Sequence, residues 1–191
     1  MRIVDWLHRN APETYSSLHP PADNAALDQL AVELGMDLPG ALVESLRCFN
    51  GTNTRRLDVA FAFPGTFYAL GTADIADEAR VEKDVLGDGA EGLGRLWHPA
   101  WIPIAADYGG DLLVLDTRDR RPFGDVFYRT MGEGPSGGSW PRFEDLLVDT
   151  FAMLEGGEPD RVRPLPRDDP RGSGWATNCR PIVRDGGLAW Q

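Results

Sequence analysis

Three apolar segments joined by short polar connections constrain the fold of this chain more than any other feature. The segments are 101–105, 112–116 and 125–129, and the middle one is an apolar run up to its last residue, an aspartate. Such a run predicts a central strand that is buried on both faces of a sheet. A parallel crossover needs about a dozen residues or more, so these short connections indicate antiparallel neighbours.

Helical patterns precede these strands. Residues 1–7 predict a short first helix, with apolar residues on one side. The chain is then expected to break at three prolines: Pro12, Pro20 and Pro21. A clearer helix, capped by Asp23 or Asn24, ends at Gly35. A further helix is predicted over 39–50, and an Asn-Gly pair that tolerates positive φ ends it.

The period then changes from that of a helix to that of a strand. Larger apolar residues alternate with aspartate and alanine over 57–63, which predicts a strand with one buried face. A Pro-Gly turn at 64–65 and a second strand over 67–70 follow. Asp74 is expected to cap the next helix, and residues 87–94 form a glycine-rich loop after it.

The last part of the domain is predicted to be a turn, a loop and a helix. Residues 118–122 are typical of a polar turn, and 132–139 of a flexible loop. Apolar residues at helical spacing predict a helix over 143–154, which a Gly-Gly pair ends. The order of N-terminal helices, a mostly antiparallel sheet and a closing helix predicts an α+β fold.

The C-terminal residues have a different composition. Residues 157–191 hold five prolines, six arginines and five acids without periodicity, so we predict a domain over 1–156 and an extended tail over 157–191. Disordered tails are usually poor in tryptophan. Because Trp175 and Trp190 lie in this tail, part of it is expected to pack on the domain or on a partner.

The balance of charge restricts the partners. The chain has 30 acidic residues against 19 lysines and arginines, a net charge of −11. Such a surface repels phosphate backbones, so we expect no nucleic-acid partner. It attracts a basic protein partner, although solubility alone accounts for the charge equally well.

Hydropathy and the N-terminal residues indicate the compartment. No apolar run approaches the roughly 18–20 residues that cross a bilayer. Residues 1–10 lack the apolar stretch of a secretory signal. We therefore expect a cytoplasmic location and no membrane partner.

Two motif matches fail for physical reasons. Residues 87–92 match a dinucleotide-binding pattern, but they follow a predicted helix instead of a strand. Residues 134–138 match the nucleophile elbow of a hydrolase, which needs a histidine later in the chain. All three histidines lie upstream of it: His8, His19 and His98.

The sequence also predicts no metal site and singles out no pair of catalytic carboxylates. The scattered histidines and the two distant cysteines, Cys48 and Cys179, give no zinc spacing. We therefore predict no catalytic residues, no metal and no cofactor, and a protein that is not an enzyme. A pair of carboxylates in a cleft, as in glycosidases, stays an open alternative because the chain has many acids.

Blocks of residues along 20–155 resemble the SUKH superfamily. The stretch Trp-Ile-Pro-Ile-Ala-Ala-Asp-Tyr-Gly-Gly-Asp-Leu-Leu-Val-Leu-Asp at 101–116, followed by Gly-Asp-Val at 124–126, resembles its central signature. Leu38-Pro39 and Asn50-Gly51 resemble its N-terminal helix pair, and 143–147 its closing helix. The superfamily includes the fungal cell-wall-assembly regulator and many bacterial relatives.

This resemblance implies a non-catalytic protein that binds other proteins. Bacterial members are regarded as immunity proteins against secreted toxins, often nucleases, and an acidic face suits a basic nuclease. A scaffold or regulator of cell-wall synthesis or signalling enzymes is the alternative that the same resemblance leaves open. The sequence leaves the oligomeric state open as well.

Four residues are candidates for the binding surface. Asp107, Tyr108 and Asp111 are expected to point outward from the turn between two strands. Trp101 is of a type that anchors interfaces, although tryptophan is also an ordinary core residue. A solvated turn without any partner accounts for the same pattern.

Overall fold

The computed structural model describes residues 2–86, 97–119, 125–131, 134–162 and 179–191, and these form an α+β fold. The helices are α1 (Arg2–Asn10), α2 (Pro12–Ser17), α3 (Asn24–Leu34), α4 (Gly40–Leu46), α5 (Thr72–Leu86) and α6 (Phe143–Leu154). The strands of the main sheet are β1 (Ala62–Phe63), β2 (Phe67–Ala69), β3 (Trp101–Ala106), β4 (Leu112–Asp116), β5 (Val126–Thr130) and β6 (Gly134–Trp140). A separate hairpin consists of β7 (Pro181–Arg184) and β8 (Gly187–Trp190).

The main sheet is antiparallel throughout, as the short connections predict. Its strands follow one another in the order β1-β2-β3-β4-β5-β6. All of β4 is buried between β3 and β5, which confirms the central strand. Successive side chains of β4 point to opposite faces, so the sheet separates two apolar clusters.

The two faces of the sheet are covered differently. Leu113 and Leu115 belong to the main core, together with residues of α1, α3, α4 and α6. Leu112 and Val114 belong to a smaller cluster on the other face, with Trp101 and Phe127. The sequence pattern of β4 therefore requires cover on both faces, and the structure provides it.

A buried ion pair joins α5 to β5. The Arg129 side chain is 1% exposed, and its Nη1 lies 2.6 Å from Oε1 of Glu82. The guanidinium also lies 5.6 Å from the ring centroid of Trp97. One helical turn earlier, burial and the charge of Glu82 raise the pKa of Glu78, while Arg129 opposes the shift. A charge buried this deeply is stable only with its partner in place.

Several helix boundaries differ from the sequence predictions. Pro12 does not break the chain but begins α2, where its missing N–H costs nothing. Helix α4 ends at Leu46, four residues before the Asn-Gly pair. Asn50 instead caps α5, because its Oδ1 accepts a hydrogen bond of 2.7 Å from the backbone N–H of Thr72. Helix α5 therefore begins before Asp74, whose carboxylate accepts from the N–H of Gly71.

Gly51 is required where the chain leaves this cap. Its φ is +79°, and a Cβ there would lie 2.2 Å from the backbone nitrogen of Gly71. Only glycine combines that conformation with so close an approach. The Asn-Gly pair thus joins two distant segments instead of ending a helix.

One strand prediction is wrong in extent, and one loop prediction is wrong. Of residues 57–63, only Ala62–Phe63 is strand, and 59–63 are all buried instead of alternating. The C-terminal hairpin covers this segment from outside, so that a Cβ on Gly187 would lie 3.0 Å from Val59. Residues 132–139 were predicted as a loop, but β6 occupies 134–140 through backbone pairing with β5. Glycine and serine have weak strand propensity, so pairing with a partner strand decides this element.

The end of the tail packs on the domain. The N–H of Leu188 donates to Oγ1 of Thr14 at 2.8 Å, and the indole N–H of Trp190 donates to the carbonyl of Ala62 at 2.8 Å. Both of the hairpin side chains belong to the main core. The expectation that part of the tail packs on the domain is therefore confirmed for Trp190, whereas Trp175 lies outside the described residues. The boundary at 156 stays a prediction.

Helix α6 has the predicted bounds and holds the residues that follow it. Asp149 is buried, and its carboxylate accepts the indole N–H of Trp140 at 3.0 Å. The same carboxylate accepts backbone N–H groups from 160–162. Gly156, with φ +82°, ends the helix as predicted. Across the described residues, no helix is long and apolar enough to cross a membrane.

Replacing Trp190 with alanine should destabilise the whole domain. The side chain is 8% exposed, and loss of a buried tryptophan costs about 3–5 kcal/mol. Val183→Ala is the matched control, because that side chain lies on the same hairpin and is 41% exposed, so its effect should stay within about 0.5 kcal/mol. Urea unfolding followed by circular dichroism measures both. Equal midpoints for W190A and the wild type would show that the hairpin adds nothing to the core.

Removing the carboxylate charge of Glu82 should lower the stability of the fold, because the buried charge of Arg129 then loses the opposite charge of this partner. We expect Glu82→Gln to lower the free energy of unfolding by about 3–5 kcal/mol. Asp77→Asn breaks an exposed pair with Arg80 on the same helix, and should have a much smaller effect because solvent screens that pair. The same urea titration compares them, and similar losses in the two variants would contradict the burial argument.

Candidate protein-binding surface

The turn between β3 and β4 is held by its first aspartate. The backbone N–H of Asp107 donates to the carbonyl of Asp111 at 2.9 Å. Oδ1 of Asp107 accepts from the N–H groups of Gly109 at 2.7 Å and Asp111 at 2.9 Å. Gly110 supplies the positive φ of +88° that the reversal needs. The predicted surface turn is therefore a closed, hydrogen-bonded structure.

Asp111 connects this turn to the end of β5. Its Oδ1 accepts the backbone N–H of Met131 at 2.9 Å, and its Oδ2 accepts the hydroxyl of Tyr128. Both carboxylate oxygens are thus engaged inside the molecule. Asp111 was predicted to point outward, but its contacts are those of a residue that positions two neighbouring segments.

Two large side chains stand exposed on this support. Tyr108 is 87% exposed and Met131 is 61% exposed. A Cβ built on Gly110 would lie 3.1 Å from Sδ of Met131, so the methionine lies against the turn. We call Asp107, Tyr108, Asp111 and Met131 the turn surface. Three of its members were predicted from sequence, and Met131 was missed because it lies 20 positions beyond Asp111.

The carboxylates of the turn surface also affect the neighbouring tyrosines. Burial raises the pKa of Tyr128, and its hydrogen bond to Asp111 raises it further. Burial and the charge of Asp107 raise the pKa of Tyr68. Tyr128 therefore stays protonated at neutral pH and continues to donate to Asp111.

Trp101, the fourth predicted residue, lies elsewhere. It is 4% exposed and sits at the opposite end of β3, edge-on to Phe127 with ring centroids 5.0 Å apart. The guanidinium of Arg118 lies 5.4 Å from its ring centroid. Its buried indole N–H has no acceptor in the described part of the chain. The structure thus gives Trp101 the surroundings of a core residue and separates it from the turn surface.

The serine of the hydrolase-like motif lies in a strand. Ser136 lies in β6, and its backbone pairs with that of Tyr128 in β5. A nucleophile elbow requires instead a sharp turn between a strand and a helix. The dinucleotide-like motif at 87–92 lies outside the described residues. Within the described ranges, no three His, Cys, Asp or Glu side chains come together as metal ligands. The absence of catalysis, metal and cofactor stays a prediction.

A small cavity lies in the main core between α4, the sheet and α6. Its volume of about 20 Å³ has room for roughly one water molecule. Apolar side chains line most of it, including Leu42, Phe63 and Phe143. This cavity is too small to hold a substrate.

The structure is that of an acidic α+β protein with a central antiparallel sheet, in which an exposed, hydrogen-bonded turn joins β3 to β4. The family model described as SMI1 / KNR4 family (SUKH-1) matches residues 21–149, more than half of the chain, and the chain belongs to this family. The matched range includes the turn surface and excludes α1, α2 and the C-terminal hairpin. A search of curated proteins found no match.

Alkaline titration should reveal the contact between Tyr128 and Asp111. The chain has four tyrosines, and we expect Tyr68 and Tyr128 to ionise above the usual pKa of about 10. Because these pKa values are raised by folding, the associated stability is present below pH ~10 and is lost as the pH rises further. Tyr128→Phe should remove the latest ionisation from an ultraviolet titration of tyrosinate. A titration curve that keeps its late phase in Y128F would contradict the assignment.

Proposed function

We propose that this protein is a non-catalytic binding module that neutralises a protein toxin, with a basic nuclease as the best-fitting partner. Membership of the SMI1 / KNR4 (SUKH-1) family carries the proposal. The family is consistent with an immunity or a cell-wall-related module, and its members are generally protein-interacting.

Charge supports the choice of a basic partner. The net charge is −11, and the excess of acids lies in residues 1–156, whereas 157–191 have nearly equal numbers of each sign. An acidic domain attracts a basic protein from a distance and speeds its association. A nuclease that binds phosphate backbones has the positive surface that such a domain complements.

The form of the candidate site supports binding instead of chemistry. The large side chains of the turn surface, Tyr108 and Met131, are exposed, whereas substrate pockets are concave and enclose most of a ligand. Of its two carboxylates, Asp111 has both oxygens in internal hydrogen bonds, so it is not available as a general acid or base. This arrangement favours a protein partner over a small substrate.

Co-expression with a candidate toxin, sought among the products of the adjacent genes, tests the proposal. Cells that produce the toxin should survive only when this chain is present, and the purified pair should form a complex. Association should slow markedly between low and physiological salt, because the attraction is electrostatic. An inactivated form of the toxin serves as the binding partner in the control.

The cell-wall-related alternative gives a different result in the same experiment. A scaffold or regulator would neither protect the cells nor bind the toxin, and its removal would change the cell wall in the absence of any toxin. Failure of both protection and complex formation would therefore end the immunity proposal.

A further inference from the structure

We propose that the turn surface binds an arginine side chain of the protein partner, with the guanidinium between the Tyr108 ring and the carboxylate of Asp107. Met131 would supply an apolar contact beside it. The inference rests on the proposed function, because it names the contact through which a basic protein is held. It reverses part of the sequence-based expectation, since Asp111 becomes a positioning residue and Met131 a contact residue.

Exposure is the first observation behind this inference. Tyr108, at 87%, is the most exposed of the large apolar and aromatic side chains in the described residues, and Met131, at 61%, lies against Gly110 of the same turn. Neither contributes its full apolar area to the fold. Tyrosine, methionine and arginine are the residue types enriched where protein interfaces are buried.

The hydrogen bonds that hold the turn are the second observation. Asp107 closes the turn with two accepted hydrogen bonds, and Asp111 fixes it to Met131 and Tyr128. A side chain presented from a fixed backbone loses little conformational entropy when a partner binds. The tyrosine has few rotatable bonds of its own, which limits the cost further.

Charge is the third observation and selects arginine. Oδ2 of Asp107 accepts no hydrogen bond from the described residues, and neither Asp107 nor Asp111 forms an ion pair within them. A guanidinium can stack on an aromatic face and donate to a carboxylate at the same time. An ammonium group lacks the planar fork, so lysine should bind this surface less well.

A peptide titration tests the surface without knowledge of the partner. The isotope-labelled full chain is titrated with tetra-arginine amide, and with tetra-lysine amide for comparison, while backbone amide shifts are recorded. We expect the largest changes at residues 107–111 and at Met131, and stronger binding of the arginine peptide. Tyr108→Ala should weaken that binding several-fold, whereas Tyr15→Ala, which removes another exposed tyrosine ring, should leave it unchanged.

The same variants in the toxin complex separate this inference from the proposed function. If the wild type protects cells, Y108A should raise the Kd by at least about tenfold, as expected for an interface anchor. Shift changes centred on another acidic region, or an unchanged Kd in Y108A, would overturn the arginine site while leaving the immunity proposal intact. Arginine binding at the turn without toxin binding would instead overturn the immunity proposal alone.

Discussion

The double-sided burial of β4 is the constraint on which the rest of the structure depends. Its alternate side chains enter two separate clusters, so each face of the sheet needs its own cover. The N-terminal helices and α6 cover one face. On the other face, the chain accepts a buried arginine, Arg129, whose charge is balanced by Glu82 of α5. This ion pair ties α5 to the sheet, because two charges buried this deeply are costly to separate.

The turn surface is a consequence of the register of β4 against β5. Leu112 pairs with Arg129, which brings Asp111 to the end of β5, beside Met131. A slip by one residue would move every side chain of β4 to the opposite face, so the two apolar clusters enforce the register. The packing of the core thus determines where the exposed Tyr108 and its supporting carboxylates lie.

Sequence patterns predicted the parts of the fold that local contacts decide. The cap at Asp23, the stop at Gly35 and the bounds of α6 depend on neighbouring residues only. The errors occur where distant segments meet: β6 is a strand because β5 pairs with it, and 59–63 are buried because the hairpin covers them. The same distinction holds for the turn surface. Its members within 107–111 were predicted because they are close in sequence, whereas Met131 was not, because the register of β4 against β5 places it there.

Both edges of the main sheet are poorly suited to adding a partner strand, which bears on how this protein can recognise another. At one edge, the carbonyl of Ala62 in β1 is taken by the indole of Trp190, so the C-terminal hairpin covers the strand. At the other edge, β6 carries Pro135 and an irregular register opposite Phe127 and Tyr128, both of which are devices that discourage strand pairing. Recognition through backbone hydrogen bonds at these edges is thereby disfavoured, which favours contact through side chains. Tyr108 has an exposed side chain of this kind, on a turn that the hydrogen bonds of Asp107 and Asp111 hold in place.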